Sequence, residues 1–409
     1  MFRIHRGSSF RHLLLDLNIP RITKLDLKSI EYRICRAFST TSFTRSRSIS
    51  TMNSLDEVVS KLKRLAPLSL AGSWDNVGLL VEPCPPKYVS KVMLTIDLTS
   101  SVLEEAKDKT VDLIIAYHPP IFAPLKCLTQ SSWKQKAVLE CIENRIAVFS
   151  PHTTYDAIQG GINDWLLSAF DVKKDTVRPV EALEEFPGGF SHVLEFDLDP
   201  TNFKEIRDHL LSWLPSDSRI SKNKEAIHVF PVKIGSMSSS DHWRLSVECN
   251  QSELNLMVSG LTQYGHYEHI RVKQLDKLPL ATTGMGRQAE LASPVTLNQA
   301  ITKVKNHLGL QYVSVATAQG ESEIQSVAVC AGSGSSVLKS VRCDLLVTGE
   351  MSHHEVLDAV HRGCNVILCH HSNTERGYLK VLQEKLAAVF NSAVYVFISE
   401  MDRDPLVVV

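Results

Sequence analysis

The sequence predicts an α/β protein, a two-lobed mixed-sheet body carrying a small inserted α+β domain. Short apolar runs at 91–95, 112–116 and 146–150 are separated by polar stretches of helical character. The same texture returns at 325–330, 343–348, 365–369 and 393–398. Strands alternating with helices indicate a largely parallel sheet. Between about 180 and 280 the texture changes. The turn signal Pro187-Gly188-Gly189 precedes a strand-like 192–198, a helical 201–214 and strand-like pieces near 226–233, 243–249 and 269–274. The domain organisation that follows is an organelle transit peptide over 1–51, lobe one over 54–178, the insert over 180–280 and lobe two over 282–409.

The first fifty residues hold eight Arg and two Lys against Asp16, Asp26 and Glu31, and twelve Ser or Thr. Arg-rich, Ser-rich and acid-poor composition is that of a transit peptide. Arg36-Ala37-Phe38-Ser39 resembles a matrix-processing context, which favours the mitochondrion over a plastid. A product starting at Met52 would lack this segment and stay in the cytoplasm. The first folded element is a helix introduced by the S-x-x-E capping box of Ser54 and Glu57, with Leu55, Val58, Val59, Leu62 and Leu65 at helical spacing.

The whole chain has 44 basic and 45 acidic side chains, so the body is mildly acidic once the basic leader is set aside. Direct nucleic-acid binding needs a basic face and is not expected. No apolar run approaches the ~18 residues of a membrane span. The nearest, Leu386 to Ile398, contains Asn391 and Ser392 and reads as a core strand. The nine cysteines never form a C-x-x-C pair, against a disulfide framework or a zinc ribbon, and read as small buried hydrophobes in a reducing compartment.

Three polar clusters follow three of the apolar runs: Tyr117-His118-Pro119, His152-Thr153-Thr154-Tyr155-Asp156, and His370-His371-Ser372-Asn373-Thr374-Glu375. Ligands of open α/β sheets bind at the carboxyl ends of the strands, where all three would gather. His371 and Glu375, four apart, share one face if a helix begins near 371. Imidazole mixed with carboxylate suits zinc, iron, manganese or nickel better than magnesium or calcium. Thr348-Gly349-Glu350 follows a further strand and offers a carboxylate to orient a metal-bound imidazole. Cys330-Ala331-Gly332-Ser333-Gly334 reads as a tight βα turn, and Gly284-Met285-Gly286-Arg287 as a turn whose Arg287 is free to face an anion. There is no G-x-S-x-G elbow, so water activated by a metal is the mechanistic candidate in place of a side-chain nucleophile.

Together with Ser73-Trp74-Asp75-Asn76-Val77-Gly78-Leu79 and Gly160-Gly161-Ile162-Asn163-Asp164, these segments resemble the NGG-interacting-factor-three-like family, also labelled GTP cyclohydrolase I type 2 homologs. The resemblance covers about 54–409. It implies two divalent metals per chain between two α/β lobes, ligands at His118, Asp156, His371 and Glu375 with His152 close by, and toroidal homo-oligomers, often hexamers. It also implies a choice of functions. One is a metal-dependent hydrolase of a nucleotide, pterin or phosphoester, with Glu350 or His152 moving the proton. The alternative is a non-catalytic metal-handling or regulatory factor with protein partners. Many bacterial relatives read His-His-Pro where this chain has Tyr117-His118-Pro119, one imidazole fewer for the second metal.

Fusing residues 1–50 to a fluorescent reporter should send it to mitochondria. A purely cytosolic reporter would overturn the targeting role.

Overall fold

The computed structural model of the chain describes residues 53–198, 200–216, 218, 220, 226–232, 242–263, 270–319 and 323–409; the expected transit peptide lies outside them. The described chain opens with β1 (Asn53–Ser54) and α1 (Leu55–Leu65). The capping box is present: Ser54 Oγ accepts from the Glu57 amide, and Glu57 accepts from the Ser54 amide. After β2 (Gly78–Val81) and β3 (Tyr88–Val89) comes a strand–helix alternation: β4 (Lys91–Thr95), α2 (Ser100–Asp108), β5 (Leu113–Ala116), α3 (Trp133–Glu143) and β6 (Ala147–Ser150). The parallel β4, β5 and β6 are closed on one side by antiparallel β2. Two short helices follow, α4 (Thr153–Ala157) and α5 (Ile162–Leu167).

β7 (Glu181–Glu185) leads into the insert: β8 (His192–Leu198), α6 (Phe203–Trp213), β9 (Ile227–Val232), β10 (His242–Cys249), α7 (Gln251–Gln263) and β11 (Arg271–Gln274). Its strands form an antiparallel sheet in the order β11-β8-β10-β9. Leu194, Phe196, Leu245 and Val247 of that sheet share a core with Ile206 and Leu210 of α6 and Leu254, Met257 and Leu261 of α7. The helix α7 carries a start signal that the sequence reading left unused. Asn250 accepts from the Glu253 amide and Glu253 accepts from the Asn250 amide, the reciprocal geometry of a capping box.

β12 (Leu278–Met285) pairs antiparallel with β7, so the insert is attached through a two-stranded neck. The second alternation is β13 (Arg287–Val295), α8 (Leu297–Leu308), β14 (Ser314–Ala316), β15 (Ile324–Ser333), α9 (Ser335–Leu338), β16 (Leu345–Glu350), α10 (His353–His361) and β17 (Asn365–Leu368). Its sheet runs β13-β15-β16-β17-β14, with β15, β16 and β17 parallel and both edges antiparallel. α11 (Asn373–Arg376), α12 (Tyr378–Val389) and β18 (Tyr395–Ile398) complete the chain's elements. Two expectations change here. The segment from Leu386 is a helix end, a turn with positive φ at Asn391 and Ser392, and only then a strand. Moreover, β18 pairs in parallel with β4, Val396 opposite Val92, so residues 282–409 do not form the second lobe alone. Apolar content cannot tell which sheet a buried strand joins.

Strand residues alternate between two environments. Val92, Leu94, Leu113 and Ile115 face a core shared with Val327, Val329, Val347 and Ile367 of the second sheet and with Leu379 and Leu382 of α12. Met93, Ile114 and Val148 face α2 and α3 instead. Both faces being covered, the strands read as continuous apolar runs. No helix among the described residues is long and apolar enough to cross a membrane.

Arg287 stitches the neck to lobe one. It is 1% exposed, so it does not face an anionic ligand. Its guanidinium pairs with Asp164 (Nε to Oδ1, 2.8 Å) and donates to the carbonyls of Gly284, Gly286, Ala157 and Ile158. A planar fork with five donors suits such a nest of acceptors. Arg287→Met should cost about 3–5 kcal/mol, because Asp164 and several buried carbonyls lose their donor. Urea denaturation would read this as a lower midpoint at unchanged slope; an unchanged midpoint would show the carbonyls find other partners.

Candidate metal centre

The carboxyl ends of the parallel strands in both sheets converge on one spot. From the first sheet come Asp97 after β4, Tyr117 and His118 after β5, and His152 and Asp156 after β6. From the second come Gly332 at the bend of β15, Glu350 at the end of β16, and His371 and Glu375 after β17. His152 and His370 lie in the left-handed region, at φ 35° and 67°. Non-glycine residues rarely accept this, and such strain concentrates at functional sites.

Glu375 sits at the centre and is 2% exposed. One carboxylate oxygen lies 3.4 Å from His371 Nε2 and the other 3.4 Å from His118 Nε2. The oxygen nearer His118 is buried and lacks a hydrogen-bond partner. Each imidazole is oriented through its other nitrogen: His118 Nδ1 contacts Asp97 Oδ1 at 3.0 Å, and His371 Nδ1 contacts Glu350 Oε1 at 2.8 Å. A carboxylate on Nδ1 holds the proton there and leaves the Nε2 lone pair for a ligand. Ligand atoms of His118, His371 and Glu375 all lie within 4.8 Å of one another. A buried carboxylate oxygen without a donor is costly unless a cation satisfies it. The donor set therefore fits a divalent transition metal. Gly332, at φ 62°, leaves the space open, since a Cβ there would lie 2.7 Å from Glu375 Oε1 and 2.9 Å from His371 Nε2.

Asp156 is not in that three-residue group. Its Oδ1 accepts a 2.6 Å hydrogen bond from the Tyr117 hydroxyl. His152 is adjacent, its ring 5.5 Å from that of His118, and is held by Asp75 at 2.7 Å. Asp75 in turn accepts from Thr153 Oγ1 at 2.6 Å. Glu350 is exposed and contacts His371, the orienting role its position suggested. His353 and His354 are exposed and meet edge to face. The glycine-rich turn after β15 packs against the site: the Gly332 amide donates to Thr374 and the Gly334 amide to Thr348. The sequence reading did not single out Asp97, Asp75 or Gly332 as site residues. Asp97 did carry one signal, its place just beyond the end of an apolar strand.

The electrostatics follow from burial and pairing. Burial opposes charge on His118, but the hydrogen bond with Asp97 and the nearby charges of Glu375 and Asp97 outweigh it and raise the imidazole to about 10. Burial lifts Asp156 to about 6, despite the hydrogen bond from Tyr117. Burial, then the charge of Asp156, pushes the Tyr117 phenol well above its usual value, so it stays a neutral donor. Asp75 and Asp97 are lowered: burial opposes their charge, but hydrogen bonds from His152 and His118 prevail. A cavity of about 470 Å³ opens beside the cluster, walled by His118, His371, Glu350, Met351, Asp404 and Leu406 among others.

Fold and site together define a class: a two-lobed α/β protein with a His/Glu cluster at the convergence of two parallel sheets. The Duf34/NIF3 (NGG1p interacting factor 3) family matches residues 53–405, and the chain belongs to that family. It is 42% identical to mouse NIF3-like protein 1 over 369 residues, covering 89% of this chain and 95% of the mouse protein. It is 32% identical to NGG1-interacting factor 3 of Saccharomyces cerevisiae, covering 87% and 96%. Among solved structures, a Staphylococcus aureus protein shares the fold at a TM-score of 0.68 with 22% identity, covering 87% of this chain and 99% of that one. A Bacillus cereus protein related to NIF3 does so at 0.59 with 24% identity, covering 87% and 98%.

The His118 shift predicts a pH dependence. An imidazole raised from 6.5 to about 10 in the folded state stabilises fully below 6.5. That contribution is lost as pH rises through about 10. Chelator-treated protein should lose stability across that window, and His118→Gln should flatten the loss; an equal slope in both proteins would refute the assignment.

Proposed function

We propose that the protein holds divalent metal through His118, His371 and Glu375, with Asp156 contributing to a second position, and acts as a metal-dependent hydrolase of a nucleotide, pterin or phosphoester. The observation that carries this is the buried carboxylate of Glu375, one oxygen without a hydrogen-bond partner, between two imidazoles whose outer nitrogens rest on carboxylates. A bound divalent metal supplies Lewis acidity, polarising a substrate oxygen and easing proton loss from water. The chain's own groups divide the remaining tasks. Asp97 and Glu350 fix the imidazole orientation. Glu350 is committed to His371, so His152, held on Nδ1 by Asp75, is the better proton shuttle. Tyr117 keeps Asp156 in place and keeps a proton on its own oxygen.

A second reading is non-catalytic metal handling or regulation through protein partners. What favours it is the Tyr117 hydroxyl on Asp156, which occupies an oxygen that a second metal would need. The yeast relative's name describes an interaction with NGG1p, which is consistent with a protein partner. Homo-oligomeric assembly, a hexamer by the resemblance, and mitochondrial targeting by the leader belong to the same proposal.

Elemental analysis of the purified protein, followed by a substrate panel with and without chelator, separates the readings. Metal that co-purifies and chelator-sensitive turnover support the hydrolase; tight metal with no turnover supports the second reading. Glu375→Gln should strip the metal, and Asp97→Ala or Glu350→Ala should weaken it about 10–100-fold. Retention of metal by Glu375→Gln would sink both readings. Tyr117→His should raise the metal content towards two per chain, whereas Tyr117→Phe should lower it or leave it unchanged. Equal, tight occupancy of two sites that Tyr117→Phe does not alter would remove the weight given to this tyrosine.

A further inference from the structure

Two segments that frame the metal centre carry aromatic side chains that the centre itself does not use. Ser73-Trp74-Asp75-Asn76 lies between α1 and β2 and supplies Asp75, the holder of His152. His118-Pro119-Pro120-Ile121-Phe122 follows β5 and supplies His118. Trp74 is 63% exposed and Phe122 48% exposed, with their rings 6.0 Å apart and tilted by 53°. Trp74 also meets His152 edge to face at 6.0 Å, and His152 stands 5.5 Å from His118. A row of rings thus runs from the exposed Trp74 to the imidazole beside Glu375. The loop of Phe122 continues through exposed Leu125, Cys127 and Leu128; Cys127, like Cys84, departs from the expectation of buried cysteines.

The aromatic pair stands on a tethered backbone. The Asp75 amide donates to the Gly72 carbonyl at 2.9 Å, closing a turn around Trp74. The Gly72 amide donates to Thr153 Oγ1 at 3.0 Å, and Asp75 accepts from the Thr153 amide and hydroxyl, which fastens that turn to the start of α4. Asn76 Nδ2 donates to the Ile121 carbonyl at 2.5 Å, which fastens the same turn to the loop of Phe122. Gly72 makes room for the indole, since a Cβ there would lie 2.9 Å from Trp74 Nε1. A large apolar surface held exposed by so many tethers is preorganised for a ligand.

The charges nearby favour a neutral ligand group. The cavity of about 470 Å³ beside the cluster is walled by Asp97, Glu350 and Asp404, and neither Lys nor Arg lines it among the described residues. Arg376, close enough to act on Asp97, is held by Asp402 and Ser372. A dianionic phosphate there would face three carboxylates and no basic side chain, whereas a neutral flat ring meets no such repulsion.

We propose that Trp74 and Phe122 receive the substrate of the metal centre by stacking on an uncharged planar heteroaromatic ring, and that this ring, not a phosphate, is the group the site recognises. The hydrolase reading is deepened by this and is also what it rests on. The ring lies on the face of Trp74 with Phe122 as a side wall, its edge turned towards His152. Steps of 6.0 and 5.5 Å separate Trp74 from His118, a span that a fused two-ring system of the purine or pteridine kind covers better than a single ring. Stacking supplies affinity to any such ring, and the groups around the metal select the edge that reacts.

Titration calorimetry of the full chain, with metal measured in the same sample, tests this with guanosine and pterin as neutral rings and ribose 5-phosphate as a phosphoester lacking one. Both rings should bind, and ribose 5-phosphate should bind more weakly. Trp74→Ala should weaken ring binding about 5–100-fold while metal content stays unchanged, and Trp74→Tyr should restore most of it. No ring binding by the metal-loaded protein, or equal binding by the unmodified protein and the Trp74→Ala/Phe122→Ala double variant, would overturn the stacking. Ribose 5-phosphate bound as tightly as the rings would overturn the preference for a ring. A smaller assembly of Trp74→Ala by light scattering would make the pair an interface between copies and overturn the proposal. Trp74-dependent ring binding by a protein that holds no metal would sink the hydrolase reading and leave the stacking in place, so the two fail separately.

Discussion

The carboxylate of Glu375 has to be buried and yet has to keep its charge company, and much of the architecture follows from that. It stands at the start of α11, between His371 of the second sheet and His118 of the first. Both sheets must point their carboxyl ends at the same place for this to happen. A shared core makes that possible, since alternate residues of β4, β5, β15, β16 and β17 pack into a single cluster between the sheets. The outer faces are then covered separately, by α2 and α3 on one side and by the elements packed around Leu346 and Val366 on the other.

Around that centre, the supporting groups work by orientation more than by contact with a ligand. Asp97 and Glu350 turn two imidazoles, Asp75 turns a third, and Tyr117 turns Asp156. Carboxylates behind imidazoles keep the tautomer fixed and raise ligand basicity, which is why such partners matter as much as the ligands. The price of this concentration of acids and imidazoles is visible in the raised values of His118 and Asp156. Left-handed backbone at His152 and His370 adds to it. Two left-handed residues and the raised values of His118 and Asp156 thus meet at one edge, as functional sites commonly show.

The insert leaves that edge to the lobes. It has its own core, it joins the body through the β7–β12 neck, and none of its described histidines belongs to the His/Glu cluster. Arg287 at the base of the neck ties β13 to the carbonyls of α4 and to Asp164 in α5. Since α4 also carries Asp156, the neck and the polar edge of the first sheet are held by one buried guanidinium.

The edge strands β2, β13 and β14 and the helix running past Leu386 were not legible. Composition and periodicity determined the α/β class, β4, β5, β6, β16 and β17 within two residues, the strands of the insert and the α1 capping box. Those features are local: a side chain next to its own amide, or apolar residues at a fixed spacing, are legible wherever they occur. His371 and Glu375 do meet, but the helix α11 begins only at Asn373, so His371 reaches Glu375 from the turn before it. Tertiary structure alone decided the rest. It made Asp97 and Gly332 part of the site, gave Arg287 a structural partner in place of a ligand, and sent β18 to the first sheet. It also kept Asp156 on Tyr117. Each depends on residues far apart in the chain meeting across a sheet or between sheets. A buried strand, a lone aspartate or a lone cysteine reads the same in sequence whichever neighbour the fold assigns to it.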